Sequence, residues 1–331
     1  MLKTISLNLL ITILILLFFE LFLRLFNIVE LQGYDKDSFY KEGNITLHKP
    51  NFVSKVMGKK LKTDENGFRI PLSEYVFQSN LESILILGDS VSYGVSVDEN
   101  KTFVGLLRKK INKNLFNASV TGHTLKNYSY LIKRYKNTLS TFEEAVIFLC
   151  LNDIMVNEGV VKKENFKKIS HRENENLLIK LLRNDVILKV NLFLREKSTL
   201  FNLVKGIGTK TVERYYNYIT PYYDNKVYLE EYKNDITDIL IFSKKNKIGV
   251  KFVLMPYKYQ LKNNCDKKLM KPQNEIKKIF KSLNFELFDL SQDFCESSFK
   301  NDLILNFDPM HLSEKGHKFV SNLIIEKEII K

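Results

Sequence analysis

Ser83-Ile84-Leu85-Ile86-Leu87-Gly88-Asp89-Ser90-Val91-Ser92-Tyr93-Gly94 decides the fold. It begins as a continuous apolar run, which predicts a strand buried on both faces of a parallel sheet. The run breaks into small and polar residues at Gly88, where the strand should end. Ser90 then falls between the carboxyl end of the strand and the helix that follows. In open α/β sheets that edge is where ligands bind. A serine at such a turn offers a hydroxyl and its own backbone N–H, so it can serve as nucleophile and as oxyanion donor. Glycine and serine are also ordinary turn residues, so the rest of the chain has to supply a base, an orienting acid and further donors.

Working outward, strands and helices alternate. Strands are expected at Ile84–Leu87, Leu115–Ala118, Ala145–Leu151, Val250–Met255 and Glu286–Phe288. Helices are expected at Thr102–Lys113, Leu125–Leu139, Tyr228–Lys245, Gln273–Ser282 and Ser313–Lys327. Alternation of this kind predicts an α/β fold: a three-layer α/β/α, flavodoxin-like parallel sheet covered on both faces. Residues 156–227 interrupt the pattern with charged helical stretches and the aromatic run Tyr215-Tyr216-Asn217-Tyr218. An interval of that length reads as a helical insertion.

Ahead of the sheet, Ile5 to Leu23 are almost all apolar. At about 1.5 Å per residue they make a helix roughly 28 Å long, enough to cross a bilayer core. Glu20 and Arg24, four apart, can pair on one face. No small-x-small cleavage site and no lipid-accepting cysteine follows, which favours an uncleaved anchor over a signal peptide. Lys3 at the amino terminus argues for a cytoplasmic start and an extracytoplasmic catalytic domain. The expected organisation is an anchor at 1–29, a juxtamembrane lead-in at 30–80 and the catalytic domain at 81–331. Thr63 to Arg69 should turn at Asn66-Gly67, and the lead-in should pack onto the sheet edge.

The chain has 331 residues, of which 44% are hydrophobic, enough for a sizeable core. Its formal charge is +13, spread as scattered lysines without a dense block or a nucleic-acid motif. That reads as a solvated surface and not as a nucleic-acid partner. The three cysteines, Cys150, Cys265 and Cys295, form no CxxC pair, and no metal-ligand spacing appears. A metal site is therefore not expected. Cys150 lies in an apolar run and reads as a small buried hydrophobe. Cys265 and Cys295 are open to disulfide formation if the domain is exported.

Four features fall at the same edge of the sheet. Ser90 follows the first strand, Gly122 the second and Asn152 the third, and Asp308-Pro309-Met310-His311 precedes the last helix. Acyl transfer needs a nucleophile, a general base and oxyanion donors. His311 is the candidate base, and Asp308 can reach its other ring nitrogen. The N–H groups of Ser90 and Gly122 and the Asn152 amide are the candidate oxyanion hole.

On these residues the chain resembles the SGNH (GDSL-type) hydrolases. Gly88-Asp89-Ser90 with Gly94 resembles the family's first block, Asn117 to Gly122 the second, Leu151-Asn152-Asp153 the third and Asp308-x-x-His311 the last. The Asn66-Gly67-Phe68-Arg69 segment, the N-terminal anchor and Pro256-Tyr257 after the fourth strand resemble membrane-anchored members. The third block departs from the family in holding Cys150 where a glycine is usual. The resemblance implies a serine esterase with no cofactor, acting on O-acyl esters, O-acetyl foremost, of carbohydrate, cell-envelope polymer or lipid. Two alternatives stay open: acyl transfer to an envelope glycan by the same residues, and a non-catalytic protein that binds a glycan or partner. Asp89 and His317 are expected to be structural.

Overall fold

In the computed structural model the described residues are 2–73, 75–139, 142–155 and 185–330. Of the two charged helical stretches expected in the insertion, that around Asn176–Arg183 lies outside them and that at Asp185–Glu196 lies within them. The chain begins with helix α1 (Leu2–Leu25), of which Lys3–Leu25 is long and apolar enough to cross a membrane and is mostly exposed, Leu23 near its end being buried. A hairpin of β1 (Phe39–Glu42) and β2 (Ile45–His48) follows, then β3 (Val53–Val56), β4 (Lys59–Thr63) and β5 (Arg69–Ile70).

The stretch quoted first forms β6 (Ser83–Leu87), with all five residues buried. It lies between β7 (Asn114–Asn117) and β8 (Phe142–Leu149), parallel to both. β9 (Gly249–Leu254) and β10 (Phe288–Asp289) extend the parallel set beyond β8. The sheet order is β10-β9-β8-β6-β7-β5-β4-β3. Taken alone, the five parallel strands have the flavodoxin-like order. The chain leaves β6 to one side for β7 and then crosses to the other side for β8. Because parallel crossovers are right-handed, that reversal puts successive helices on opposite faces and opens a crevice at the carboxyl end of β6.

Helices α2 (Ser90–Tyr93) and α3 (Phe103–Leu107) follow β6, and α4 (Leu125–Thr138) follows β7. The described part of the insertion holds α5 (Asp185–Lys197), α6 (Thr199–Gly208) and α7 (Thr211–Ile219). Next come α8 (Lys226–Lys245), packed on α4, α9 (Lys258–Lys262), α10 (Lys271–Ser282), α11 (Ser291–Glu296) and α12 (Glu314–Glu326), packed on α3. Phe103 meets Phe148 with ring centroids 4.5 Å apart, closing one face of the sheet.

The lead-in does more than cover the edge. β5 pairs antiparallel with β7, Arg69 opposite Asn117, and β4 and β3 continue outward, so residues 53–70 are part of the sheet. The boundary expected at residue 80 therefore falls within one hydrogen-bonded layer. Element boundaries also move, among them the fifth strand, expected at Glu286–Phe288 and found at Phe288–Asp289. The helix expected over Thr102–Lys113 stops at Leu107, and the Arg108 guanidinium turns back to donate to the Leu115 carbonyl at 2.6 Å. The second strand runs 114–117 instead of 115–118. β8 starts three residues early, through Glu143 and Glu144, and ends at Leu149 instead of 151. Glu144 is compatible with a strand because Lys251 on β9 pairs with it at 2.7 Å. Cys265 and Cys295 are bridged, with Cα atoms 6.0 Å apart.

Candidate active site

The turn after β6 is built by Asp89 and Gly94. Asp89 caps α2, its Oδ1 accepting the Val91 N–H at 2.8 Å. Gly94 ends the helix in the left-handed conformation, φ +77. Ser90 is the first helical residue, so its N–H has no partner within the helix. Arg69 holds this turn from below. Its guanidinium is fully buried, donates to the carbonyl oxygens of Tyr93, Gly94 and Val97, and stacks over the Tyr93 ring. Arg69→Met removes the guanidinium donor from three buried carbonyls, of which Gly94 keeps the Val97 N–H at 3.4 Å. At about 1–3 kcal/mol each, it is expected to lower the thermal unfolding temperature by several degrees. An unchanged unfolding temperature would show that the turn stands without it.

The base arrives from the other end of the chain. Ile304 and Leu312 form an antiparallel bridge, and the Leu305 N–H donates to the His311 carbonyl at 2.9 Å, closing a tight loop. Inside it Asp308 Oδ1 accepts the N–H groups of Met310 and His311 at 2.9 and 2.7 Å. Its Oδ2 lies 2.7 Å from His311 Nδ1. A carboxylate only accepts, so Nδ1 carries the proton and Nε2 is the acceptor. Nε2 lies 2.8 Å from Ser90 Oγ, 221 residues away in sequence. Sequence placed all three residues at one edge, and the structure puts them in one hydrogen-bonded line.

Burial alone would lower the His311 pKa. The charge of Asp308 and its hydrogen bond, with Asp89 and Glu30 further off, outweigh that and hold the imidazole above the ordinary histidine value of 6.5. For Asp308 burial works upward, and the neighbouring His311 and two backbone N–H groups more than offset it, keeping the carboxyl below the usual range. Each partner favours the charged form of the other.

Asn152 sits in the short turn Leu151–Ile154 after β8. Its Nδ2 donates to Asp89 Oδ2 at 3.0 Å, and its Oδ1 accepts from the Tyr257 hydroxyl at 2.6 Å. One amide hydrogen is thus engaged by Asp89, and the second has no partner among the described residues. The Tyr257 oxygen also accepts the Asn152 N–H at 3.0 Å. Gly122 lies on the loop after β7, which the Val120 N–H ties to the Gly88 carbonyl at 3.0 Å. The backbone supplies a reason for glycine there: φ is +79, a conformation that L side chains rarely adopt, and an added Cβ would meet nothing within 4 Å among the described residues.

Cys150 is buried, its thiol 3.7 Å from Asp89 Oδ1, and its N–H donates to Asp153 at 2.7 Å. The side chain at this position therefore fills space behind the Asp89–Asn152 pair. Its thiol pKa lies well above the ordinary value because of burial, which keeps it unreactive. His317 is structural. It accepts the Phe103 N–H at 3.2 Å, and burial pushes its pKa down to about 3.

Three residues support the site in ways that spacing did not reveal. Tyr257, noted only as following the fourth strand, orients the Asn152 amide. Lys258 is buried and holds the base loop from both sides. Its N–H donates to the Pro309 carbonyl at 2.8 Å, and its Nζ donates to the carbonyls of Ile304 and Leu305 at 2.7 Å each. Tyr223, from the insertion, donates to the Leu151 carbonyl at 2.8 Å. A lysine beside Pro-Tyr at a strand end was the one available signal, and lysine is too common in this chain to stand out.

No family model matches the chain, and no curated protein matches it. Solved structures do. A member of the lipolytic protein G-D-S-L family from Veillonella parvula is similar at 15% identity and a TM-score of 0.41, covering 74% of this chain and 97% of that one. A psychrotrophic esterase from Pseudoalteromonas sp. is similar at 15% identity and 0.42, covering 75% and 98%. An acetylxylan esterase from Geobacillus stearothermophilus, solved as a catalytic mutant, is similar at 13% identity and 0.43, covering 78% and 98%.

Proposed function

We propose that this protein is a serine esterase of SGNH type, tethered to a membrane by α1 with its catalytic body on the extracytoplasmic side. The observation that carries it is the unbroken line from Ser90 Oγ through His311 to Asp308 at the carboxyl edge of β6. Ser90 Oγ attacks the ester carbonyl carbon as His311 Nε2 takes its proton. The oxyanion is met by the N–H groups of Ser90 and Gly122 and the second Asn152 amide hydrogen. His311 then protonates the leaving alcohol, giving an acyl-serine that water cleaves with His311 again as base. The substrate class is O-acyl esters, O-acetyl foremost, of an envelope glycan, polymer or lipid. The Cys265–Cys295 bridge fits an oxidising compartment. Transfer of the same acyl group to a glycan hydroxyl is the second reading.

The testing experiment is turnover of a short-chain aryl ester by the full chain in detergent, with and without an acceptor glycan. Release of the phenol establishes the esterase, and a rate that climbs only with acceptor assigns the transferase. Absence of both from folded protein would leave the non-catalytic reading standing.

The pH dependence has a definite sign. The base must be neutral to accept the Ser90 proton, and Asp308 holds it protonated to a higher pH than an isolated histidine. Accordingly kcat/KM should rise with pH along an acid limb whose midpoint lies above 6.5. A midpoint well below that value would mean that the Asp308 carboxylate is not charged beside His311.

A further inference from the structure

Helices α5 and α6 are built inside out. Along α5, Val190 and Phe193 are 55% and 60% exposed while Asn191 between them is buried. Along α6, Val204 and Ile207 are 62% and 61% exposed while Thr199 and Asn202 are buried. A surface helix in water shows the reverse pattern.

The corner joining the two helices is fixed to α1. Glu20 accepts the N–H groups of Thr199 and Leu200 at 2.9 and 3.0 Å and the Ser198 hydroxyl at 2.8 Å, capping α6, while Arg24 pairs with Glu20 at 2.7 Å and reaches the Lys197 carbonyl. Glu20 lies five residues before the end of α1, roughly 7 Å along the axis. A corner held at that level lies at the edge of whatever bilayer α1 crosses. Basic residues predominate there: Lys189, Arg195, Lys197, Lys205 and Lys210 against Asp185 and Glu196 between residues 185 and 210.

We infer that α5 and α6 form a second membrane contact, lying in the headgroup layer of an anionic bilayer with Val190, Phe193, Val204 and Ile207 directed into the lipid. This rests on the reading of α1 as an anchor. Apolar area and basic charge at one surface are the two terms that bind interfacial helices. The contact also bears on catalysis. Phe307, next to Asp308, packs against Gly206 of α6, where an added Cβ would lie 2.8 Å from its side chain. Asn306 donates to the Ile28 carbonyl at 3.2 Å, three residues beyond α1. The base loop therefore sits where the chain leaves the bilayer, within reach of an ester carried on a membrane-held molecule.

The test uses the full chain in vesicles of phosphatidylcholine and phosphatidylglycerol, part of the lipid brominated on its acyl chains. A polarity-sensitive fluorophore is placed in turn at Leu14→Cys, Phe193→Cys, Val204→Cys and, as an aqueous control, Val76→Cys. Bromolipid should quench the labels at 14, 193 and 204 and spare that at 76, with 193 and 204 shallow, roughly 5–10 Å below the surface. Quenching at 14 alone overturns the inference while leaving the anchor intact, and assigns the apolar face to residues 156–184 or to a second copy of the chain. Loss of quenching at 14 as well overturns the anchor, and the second contact falls with it. None of these readings depends on esterase activity.

Discussion

Ser90→Ala is expected to remove ester turnover, lowering kcat/KM by about 10⁴-fold or more. Ser90 Oγ lies 2.8 Å from the His311 acceptor nitrogen, and among the described residues no other hydroxyl is hydrogen-bonded to it at the strand edge. Ser92, two residues on, is completely buried, and its hydroxyl has no partner among the described residues. The variant should fold. It gives up one hydrogen bond, worth about 1 kcal/mol, while the turn keeps its Asp89 cap, its Gly94 end and its Arg69 clamp. The measurement is kcat/KM on the aryl ester beside a thermal unfolding curve. Wild-type turnover that persists in a folded Ser90→Ala variant would place the nucleophile elsewhere and remove the esterase mechanism proposed above. A mass adduct from an organophosphonate, found on the peptide holding Ser90 in the parent and absent from the variant, would locate the reacting oxygen directly.

Asp308→Asn should cost nearly as much, roughly 10³- to 10⁴-fold in kcat, and for a separable reason. Asparagine retains an Oδ1 to accept the N–H groups of Met310 and His311, so the loop keeps its shape. What changes is the atom facing Nδ1. An amide N–H there donates, which moves the imidazole proton to Nε2, and Nε2 can then no longer take the proton of Ser90. Loss of the negative charge also removes what holds the His311 pKa up, and burial then dominates. The acid limb of whatever activity remains should therefore move to lower pH than in the parent. A pH–rate profile separates this from simple unfolding, since a partly unfolded population scales the whole profile without moving its limb. An unmoved limb would show that Asp308 does not set the charge of His311.

The candidate site was legible in sequence to the extent that local chemistry carries it. An apolar run breaking at Gly88 located a strand end, and Asp308 and His311 share one turn, so their pairing is local. The β8 boundary was misread because Glu143 and Glu144 do not look like strand residues; Glu143 is exposed, and Glu144 is accommodated by Lys251 from a neighbouring strand. The helix after Thr102 was overestimated because the apolar period continued past Leu107, whereas the Arg108 guanidinium donates to the Leu115 and Arg69 carbonyls on strands outside the helix. Gly122 was assigned to the loop after the second strand, but its positive φ could not be read from composition.

The sequence by itself determined the order of the five parallel strands and of the helices alternating with them, the apolar N-terminal helix, and the residue types available for acyl chemistry at each strand end. These follow from periodicity and turn chemistry, which act over a few residues. Tertiary structure alone decided that residues 53–70 extend the sheet, that Arg69 clamps the Ser90 turn, that Tyr257 aims Asn152 and Lys258 braces the base loop, and that Glu20 caps α6. Each of these joins groups separated by many residues through a buried hydrogen bond. Such a bond forms only once folding has excluded water and left a donor or acceptor that must be satisfied.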